Sequence, residues 1–196
     1  MTITYRVGGG LYLNITNRCS NACNFCEREI IDSVGDADSL WLEREPTREE
    51  ILQDILKRDL TQYSEIVFCG FGEPTERLDD VLWLCASLKK TGCPPIRINT
   101  NGHANLIAGK DTAPRFSQLV DRVSISLNAA TAGEYEFLCK PVYGPDAYPG
   151  LLDFAKKVKE YVPDVVLSIV EGTTNEEACR AVAREAGLPL RVRPRL

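Results

Sequence analysis

The chain has 196 residues, 44% of them hydrophobic and 26% charged, with 23 Lys and Arg against 28 Asp and Glu and a formal net charge of -5. These proportions suit one globular domain with a full core, 1–196, and the negative balance argues against a broad nucleic-acid-binding face. The longest apolar runs are strand-sized, so no membrane span is expected. The start MTITYRVGGG has no basic segment followed by an apolar stretch, so no signal peptide is expected and the location is read as cytoplasmic. Eight cysteines are many for such a chain. Without a leader or a small-scaffold size, reduced thiols with a metal role fit them better than disulfides.

In chain order, the first strand signal is LYLNIT (Leu11–Thr16), followed at once by the cysteine-rich stretch RCSNACNFCE (Arg18–Glu27). TREEILQDILKRDL then reads as a helix: Thr47 with Glu50 three residues on forms a capping-box pattern, and Ile51, Leu52, Ile55 and Leu56 share a face. EIVFCG (Glu65–Gly70) is the second strand. LDDVLWLCASLKKTG ends in two lysines and Gly92, as a helix C-terminus should. PIRINT (Pro95–Thr100) follows, then a short helix candidate over Asp111–Val120 and the strand RVSISLN (Arg122–Asn128). The helix YPGLLDFAKKVKEYV, the strand VVLSIV (Val165–Val170), the helix NEEACRAVAREAGL and the strand LPLRVR (Leu188–Arg193) complete the chain.

Strands alternating with helices predict a parallel sheet with right-handed crossovers, and fairly continuous apolar runs predict strands buried on both faces. Six units of about thirty residues nearly exhaust the chain, whereas a closed eight-unit barrel takes about 250 residues. The expected fold is therefore α/β, an open partial (β/α)6 barrel with a parallel six-stranded sheet. In such folds chemistry sits beyond the strand C-termini. The unusual stretches fall there: the cysteines after the first strand, GFGEP (Gly70–Pro74) after the second, NTNG (Asn99–Gly102) at the third, SLN (Ser126–Asn128) at the fourth and Glu171-Gly172 after the fifth.

Cys19, Cys23 and Cys26 are three thiols in eight residues. A structural zinc site takes four ligands, usually as two pairs. No second pair exists, and the one histidine, His103, is the only other imidazole or thiol candidate read as a fourth ligand. A non-catalytic zinc or iron-sulfur sensor using His103 is therefore one reading. Three thiolates on one loop also suit a 4Fe-4S cluster with one iron left for another ligand.

Cys-x3-Cys-x2-Cys with Phe25 before the last cysteine resembles the signature of radical S-adenosylmethionine enzymes, and GFGEP resembles that superfamily's GGEP motif. More closely, LYLNITNRC, GFGEPTERLD, RINTNGHANLI and VSISLNA are similar to the TatD-associated radical S-adenosylmethionine proteins. The resemblance implies that Cys19, Cys23 and Cys26 hold a 4Fe-4S cluster whose fourth iron takes the amine and carboxylate of S-adenosylmethionine. Reductive cleavage then gives a 5′-deoxyadenosyl radical that abstracts hydrogen from a substrate. It also implies an external one-electron reductant such as flavodoxin or ferredoxin, and association with a TatD-type hydrolase. A glycyl-radical-activase-like activity and a 7-carboxy-7-deazaguanine-synthase-like one stand as alternatives within the class; Glu27-Arg28 after Cys26 departs from the second family's pattern.

The same resemblance assigns cofactor contacts. Gly70 and Gly72 would permit close approach and unusual dihedrals, Glu73 and nearby carbonyls would accept from the methionyl ammonium, and Pro74 would fix the turn. Asn99 and Thr100 would meet the methionine moiety. Ser126 and Asn128, two apart and so on one side, would meet ribose or carboxylate. Phe25 would pack near the adenine or shield the cluster, and Glu171 would lie near the adenine. Asn14 and Asn17 flank the cluster loop, as cluster contacts or as loop stabilisers, and Arg18 and Arg28 bracket it. Cys85 and Cys179 read as core, Cys93 lies on the opposite rim, Cys69 borders the site, and Cys139 sits in a Gly/Pro-bearing connection able to fold over the rim.

Overall fold

A computed structural model describes residues 1–195. Its elements are β1 (Thr4–Val7), β2 (Gly10–Leu13), α1 (Arg48–Leu56), β3 (Glu65–Phe68), α2 (Leu78–Lys89), β4 (Ile96–Thr100), α3 (Ala104–Ala108), β5 (Arg122–Ser126), α4 (Ala132–Cys139), α5 (Ala147–Val158), β6 (Asp164–Val170), α6 (Glu176–Ala186) and β7 (Leu190–Arg193). The seven strands form one sheet in sequence order. Strands β2 to β7 are the six expected ones and pair in parallel. β1 is an addition to the expected six: it pairs antiparallel with β2 from Thr4↔Leu13 to Val7↔Gly10. The signal for it was the Gly8-Gly9 turn, where Gly8 takes φ +56°, a hairpin conformation glycine adopts freely. β1 and β7 are not paired to each other, so the barrel is open.

The strands are largely buried on both faces, as expected, but the two faces differ in chemistry. Ile66, Phe68, Ile96, Ile98, Val123, Ile125, Val165, Leu167 and Ile169 join the helices in the main core. The alternate positions point the other way: Val67 and Cys69, Arg97 and Asn99, Ser124 and Ser126, Val166 and Ser168, Arg191 and Arg193. That second face is the concave side, which no helix covers. It is mostly polar, although Val67, Arg97, Ser124 and Ser168 on it are buried. The floor of the concave side is closed by Arg97, which donates to Glu65 at 2.9 Å and to the Tyr12 hydroxyl at 3.1 Å.

The helices form for legible reasons. Thr47 accepts from Glu50 N while the Glu50 carboxylate accepts from Thr47 N, completing the capping box. Ile51 and Ile55 are fully buried, whereas Leu56 turns to solvent. The segment expected as a helix over Asp111–Val120 is a single 3-10 turn at Ala113–Phe116 that plugs Phe116 edge-on against Phe154, with ring centres 5.6 Å apart. α3 and α4 were not expected. α4 is short and weakly amphipathic, so periodicity does not reveal it; its N-terminus is capped by Thr131 accepting from Glu134 N.

Removing half the capping box by Thr47→Ala is expected to cost about 1 kcal/mol. For a chain of this size that lowers the melting temperature by about 2–4 °C, readable by thermal unfolding. An unchanged midpoint would show that packing alone holds α1.

Candidate active site at the strand C-termini

The loop carrying Cys19, Cys23 and Cys26 leaves β2 and crosses the C-terminal end of the sheet. Three sets of hydrogen bonds fix it. First, its amides bond the end of α4: Ala22 N donates to Cys139 O and Asn24 N to Leu138 O, both at 2.9 Å, and the Asn24 amide donates to Phe137 O at 3.0 Å. Carbonyls at a helix C-terminus lack partners within the helix, so the loop supplies them. Second, Asn14 and Asn17 tie the loop to the segment over Leu40 and Leu42. Asn14 donates to Leu40 O at 2.8 Å, and Asn17 both donates to Leu42 O and accepts from Leu42 N. These bonds stabilise the loop. Third, Arg77 donates to the Ile15 and Pro46 carbonyls, each at 2.8 Å.

The Gly70–Glu73 loop packs directly on this loop. A Cβ at Gly70 would lie 2.9 Å from Asn14 Cγ, and one at Gly72 would lie 2.7 Å from the Arg18 carbonyl oxygen. Neither glycine has a positive φ. They are glycines because another backbone passes against them, and no unusual dihedral is involved. Pro74 is buried at the start of the 3-10 turn Pro74–Arg77, behind the cleft.

Glu73 is 4% exposed, and four donors surround its carboxylate. Oε1 accepts from Thr75 N at 3.0 Å and from the Thr75 and Thr100 hydroxyls at 2.7 Å; Oε2 accepts from Asn101 N at 2.6 Å. A carboxylate has about four lone-pair positions, so this one is filled from within. Burial pushes its pKa up, and the four donors pull it back.

From Asn101 a buried chain of polar contacts runs on. Asn101 donates to Ser20 Oγ at 2.8 Å, Ser20 meets His103 Nδ1 at 3.0 Å, His103 Nε2 meets the Tyr135 hydroxyl at 3.2 Å, and Asn21 donates to that hydroxyl at 2.9 Å. Ser20 and Asn21 belong to the cysteine loop. His103 is therefore a fully buried link with both ring nitrogens in use, which removes it as the fourth ligand of a zinc site. Among the described residues, no three His, Cys, Asp or Glu side chains are arranged to hold a single metal ion.

One cleft collects most of the candidates. Cys19, Cys23 and Cys26 line it with Phe25, Gly70, Gly72, Glu73, Asn99, Thr100, Ser126 and Asn128. All three thiols are free. Burial pushes the Cys19 thiol up to about 12. Cys69 lines the cleft as expected. Asn128 does so from a left-handed conformation, φ +56°, just beyond the end of β5. Three buried amide oxygens of the lining have no partner: Asn21 Oδ1, Asn99 Oδ1 and Asn128 Oδ1. Unpaired buried acceptors are costly, so they mark where a donor-bearing ligand fits.

Four expectations change. Glu171 is exposed and outside the lining: strand alternation turns Val170 into the cleft and the next residue away. Cys139 is no mobile lid thiol; it is fully buried at the end of α4, 3.9 Å from the Asn128 amide nitrogen. Arg18 points away from the cleft into an exposed ion pair with Glu45, while Arg28 does line it. Pro74 stays behind the lining, as above. The sequence reading missed Asn21, Val170 and Arg193, which also line the cleft. The signal for Arg193 was the alternation in LRVR, which places it on the concave side.

Two measurements probe this frame without any cofactor. Glu73→Gln turns one acceptor into a donor facing donors, so the cofactor-free protein should lose about 1–3 kcal/mol. Unchanged melting would mean that the carboxylate serves only a ligand. Burial also pushes the pKa of His103 down to about 4, against about 6.5 in an unfolded chain. The folded protein then binds fewer protons than the unfolded chain between those values. Stability is complete above about pH 6.5 and is lost as pH falls toward 4. As the only histidine, its NMR signals report this directly, and titration near 6.5 in the folded protein would contradict the buried network.

Comparison with known proteins agrees with this arrangement. Residues 13–186 match the Radical SAM superfamily. Among solved structures, the chain is similar to TYW1 with a lysine-pyruvate adduct bound (TM-score 0.61, 14% identity, covering 96% of this chain and 65% of that one). It is also similar to a radical SAM methyltransferase from Sphaerobacter thermophilus (0.63, 14%, 97% and 68%). A third similar structure is native anSMEcpe with bound AdoMet (0.62, 19%, 94% and 50%). The chain thus spans about half to two thirds of the length of these proteins. No curated protein matches it. With a match running from β2 to the end of α6 and a cysteine-lined cleft at the strand ends, the chain belongs to the Radical SAM superfamily and is an enzyme of that class.

Proposed function

We propose that Cys19, Cys23 and Cys26 hold a 4Fe-4S cluster and that the adjoining loops hold S-adenosylmethionine, for hydrogen abstraction from a substrate. One observation carries this reading: three free thiols line the same cleft as the Gly70–Glu73 loop and three unpartnered amide oxygens. Members of the superfamily use both groups. Three thiolates on one loop suit a cluster with one iron left for a non-protein ligand. When bound, the cluster and S-adenosylmethionine supply a one-electron cleavage to methionine and a 5′-deoxyadenosyl radical.

The chain's own residues bind, orient and exclude water. Asn99 and Asn128 offer acceptors to an ammonium or to ribose hydroxyls, with the Ser126 hydroxyl between them. Glu73 and Thr100 are engaged with each other, so they shape the loop and leave the carbonyls over Gly70–Glu73 to receive the methionyl ammonium. Phe25, half-buried against the main core, shields the cluster side. Glu171, being outside the cleft, takes no part. The motifs LYLNITNRC, GFGEPTERLD, RINTNGHANLI and VSISLNA support a place in the TatD-associated group within the superfamily. An external one-electron donor, flavodoxin or ferredoxin, and a TatD-type hydrolase are the partners this reading predicts, in the cytoplasm. No helix among the described residues is long and apolar enough to cross a membrane.

Anaerobic reconstitution with iron and sulfide should load about four irons per chain, and dithionite with S-adenosylmethionine should then release 5′-deoxyadenosine. Replacing all three cysteines by alanine should abolish both while circular dichroism stays close to that of the parent. Cleavage retained in the triple variant, or bound zinc with no cleavage in the parent, would overturn the reading.

A further inference from the structure

Arg193 ends β7, the open edge of the sheet, and lines the cysteine cleft. Its Nε is buried and meets no acceptor. Among the described residues its guanidinium forms no ion pair and no side-chain hydrogen bond. Arg191 stands two residues earlier, exposed and also without an acidic partner. Val192 between them packs on the core, so both arginines face the concave side. An Nε–H buried without an acceptor is costly, and the guanidinium's planar fork matches carboxylate and phosphate oxygens.

The charges around it are few. Glu27 and Arg191 are the charged groups that act on it most, beside the Cys69 and Cys23 thiols, and Arg28 is the other guanidinium lining the cleft. Of the two carboxylates lining the cleft, Glu73 is filled by its own donors, and Glu27 lies outside ion-pair distance of Arg193. The cleft is thus divided by chemistry. Unpaired acceptors, Asn99 and Asn128, sit at the ends of β4 and β5. An unpaired cation sits at the end of β7, four places along the sheet from β3 and its Gly70–Glu73 loop. One side seeks donors and the other seeks an anion.

We infer that Arg193, with Arg191 beside it, is an anion-recognition site for the substrate, which therefore carries a carboxylate or phosphate group. Its assignment to substrate rests on the proposed radical reaction; the anion site itself does not. Inorganic phosphate and succinate serve as probes of the two sources.

The experiment has two parts. On cluster-free protein labelled at arginine with 15N, the buried Nε–H of Arg193 is identified by its loss in Arg193→Gln, and each anion is titrated. On the cluster-loaded protein, calorimetry measures anion binding with S-adenosylmethionine present, and S-adenosylmethionine binding alone. At least one anion should shift the Arg193 signal saturably. Arg193→Gln should weaken that anion by about tenfold or more and leave S-adenosylmethionine affinity within about twofold. Preference for phosphate or for succinate names the source. Arg193→Lys, which keeps the charge, should recover part of the binding, and with the parent titration it keeps the test valid should Arg193→Gln fail to fold.

Three results would overturn the inference. In the first, neither anion shifts the signal. In the second, Arg193→Gln weakens S-adenosylmethionine about tenfold, so that Arg193 holds the cofactor's own carboxylate. In the third, anions bind only in Glu27→Gln, which would make Glu27 the internal partner. Saturable anion binding in a protein that never binds S-adenosylmethionine would support the anion site and remove the radical reading instead.

Discussion

The Glu73 carboxylate is the point on which the site depends. It is buried at the mouth of the sheet and accepts from two segments at once: Thr75 in its own turn, and Thr100 and Asn101 at the end of β4. Asn101 passes the connection to Ser20, and Ser20 to His103, Tyr135 and Asn21. The cysteine loop is thereby joined to strand ends far from it in sequence. Buried polar chains are stable only when every member is satisfied. Here Asn21, Asn99 and Asn128 keep unpaired amide oxygens on the cleft wall, where a ligand belongs.

The sheet separates two chemistries by the simplest means available, the alternation of side chains along a strand. Apolar positions face the helices and supply the core. Their neighbours face the cleft and carry amides, hydroxyls and guanidiniums. A closed eight-stranded barrel fills such an interior with side chains. An open one does not need to, and its concave side is free to bind. The Arg97–Glu65 pair closes the lower end, so a ligand enters from the strand C-termini, where the thiols are.

Much of this was legible in the sequence. Six strands, four helices and the rim motifs followed from periodicity, capping signals and spacing, because those are local properties. Of the ten cofactor-contact residues that the resemblance implied, eight line the cleft, since the motifs that carry it sit at strand ends. Glu171 failed because the reading treated the residue after a strand as rim without asking which way alternation turned it. α4 failed because it is short and weakly amphipathic, and its contribution is to offer carbonyls to a loop more than a hundred residues earlier, as Ala22 to Cys139 shows.

The sequence by itself carried the resemblance from which the reaction class was expected, because three thiols at fixed spacing and a glycine-rich turn are covalent facts of the chain. It also determined the order of strands, since consecutive units dock as neighbours. What only the tertiary structure decided is which polar side chains are spent on the protein and which remain for a ligand. Glu73, Thr100, Asn17 and His103 are consumed internally, while Asn99, Asn128 and Arg193 keep unpaired atoms at the cleft. Identity and spacing are the same kind of information for both groups. The difference lies in long-range hydrogen bonds, and those exist only once distant segments have packed together.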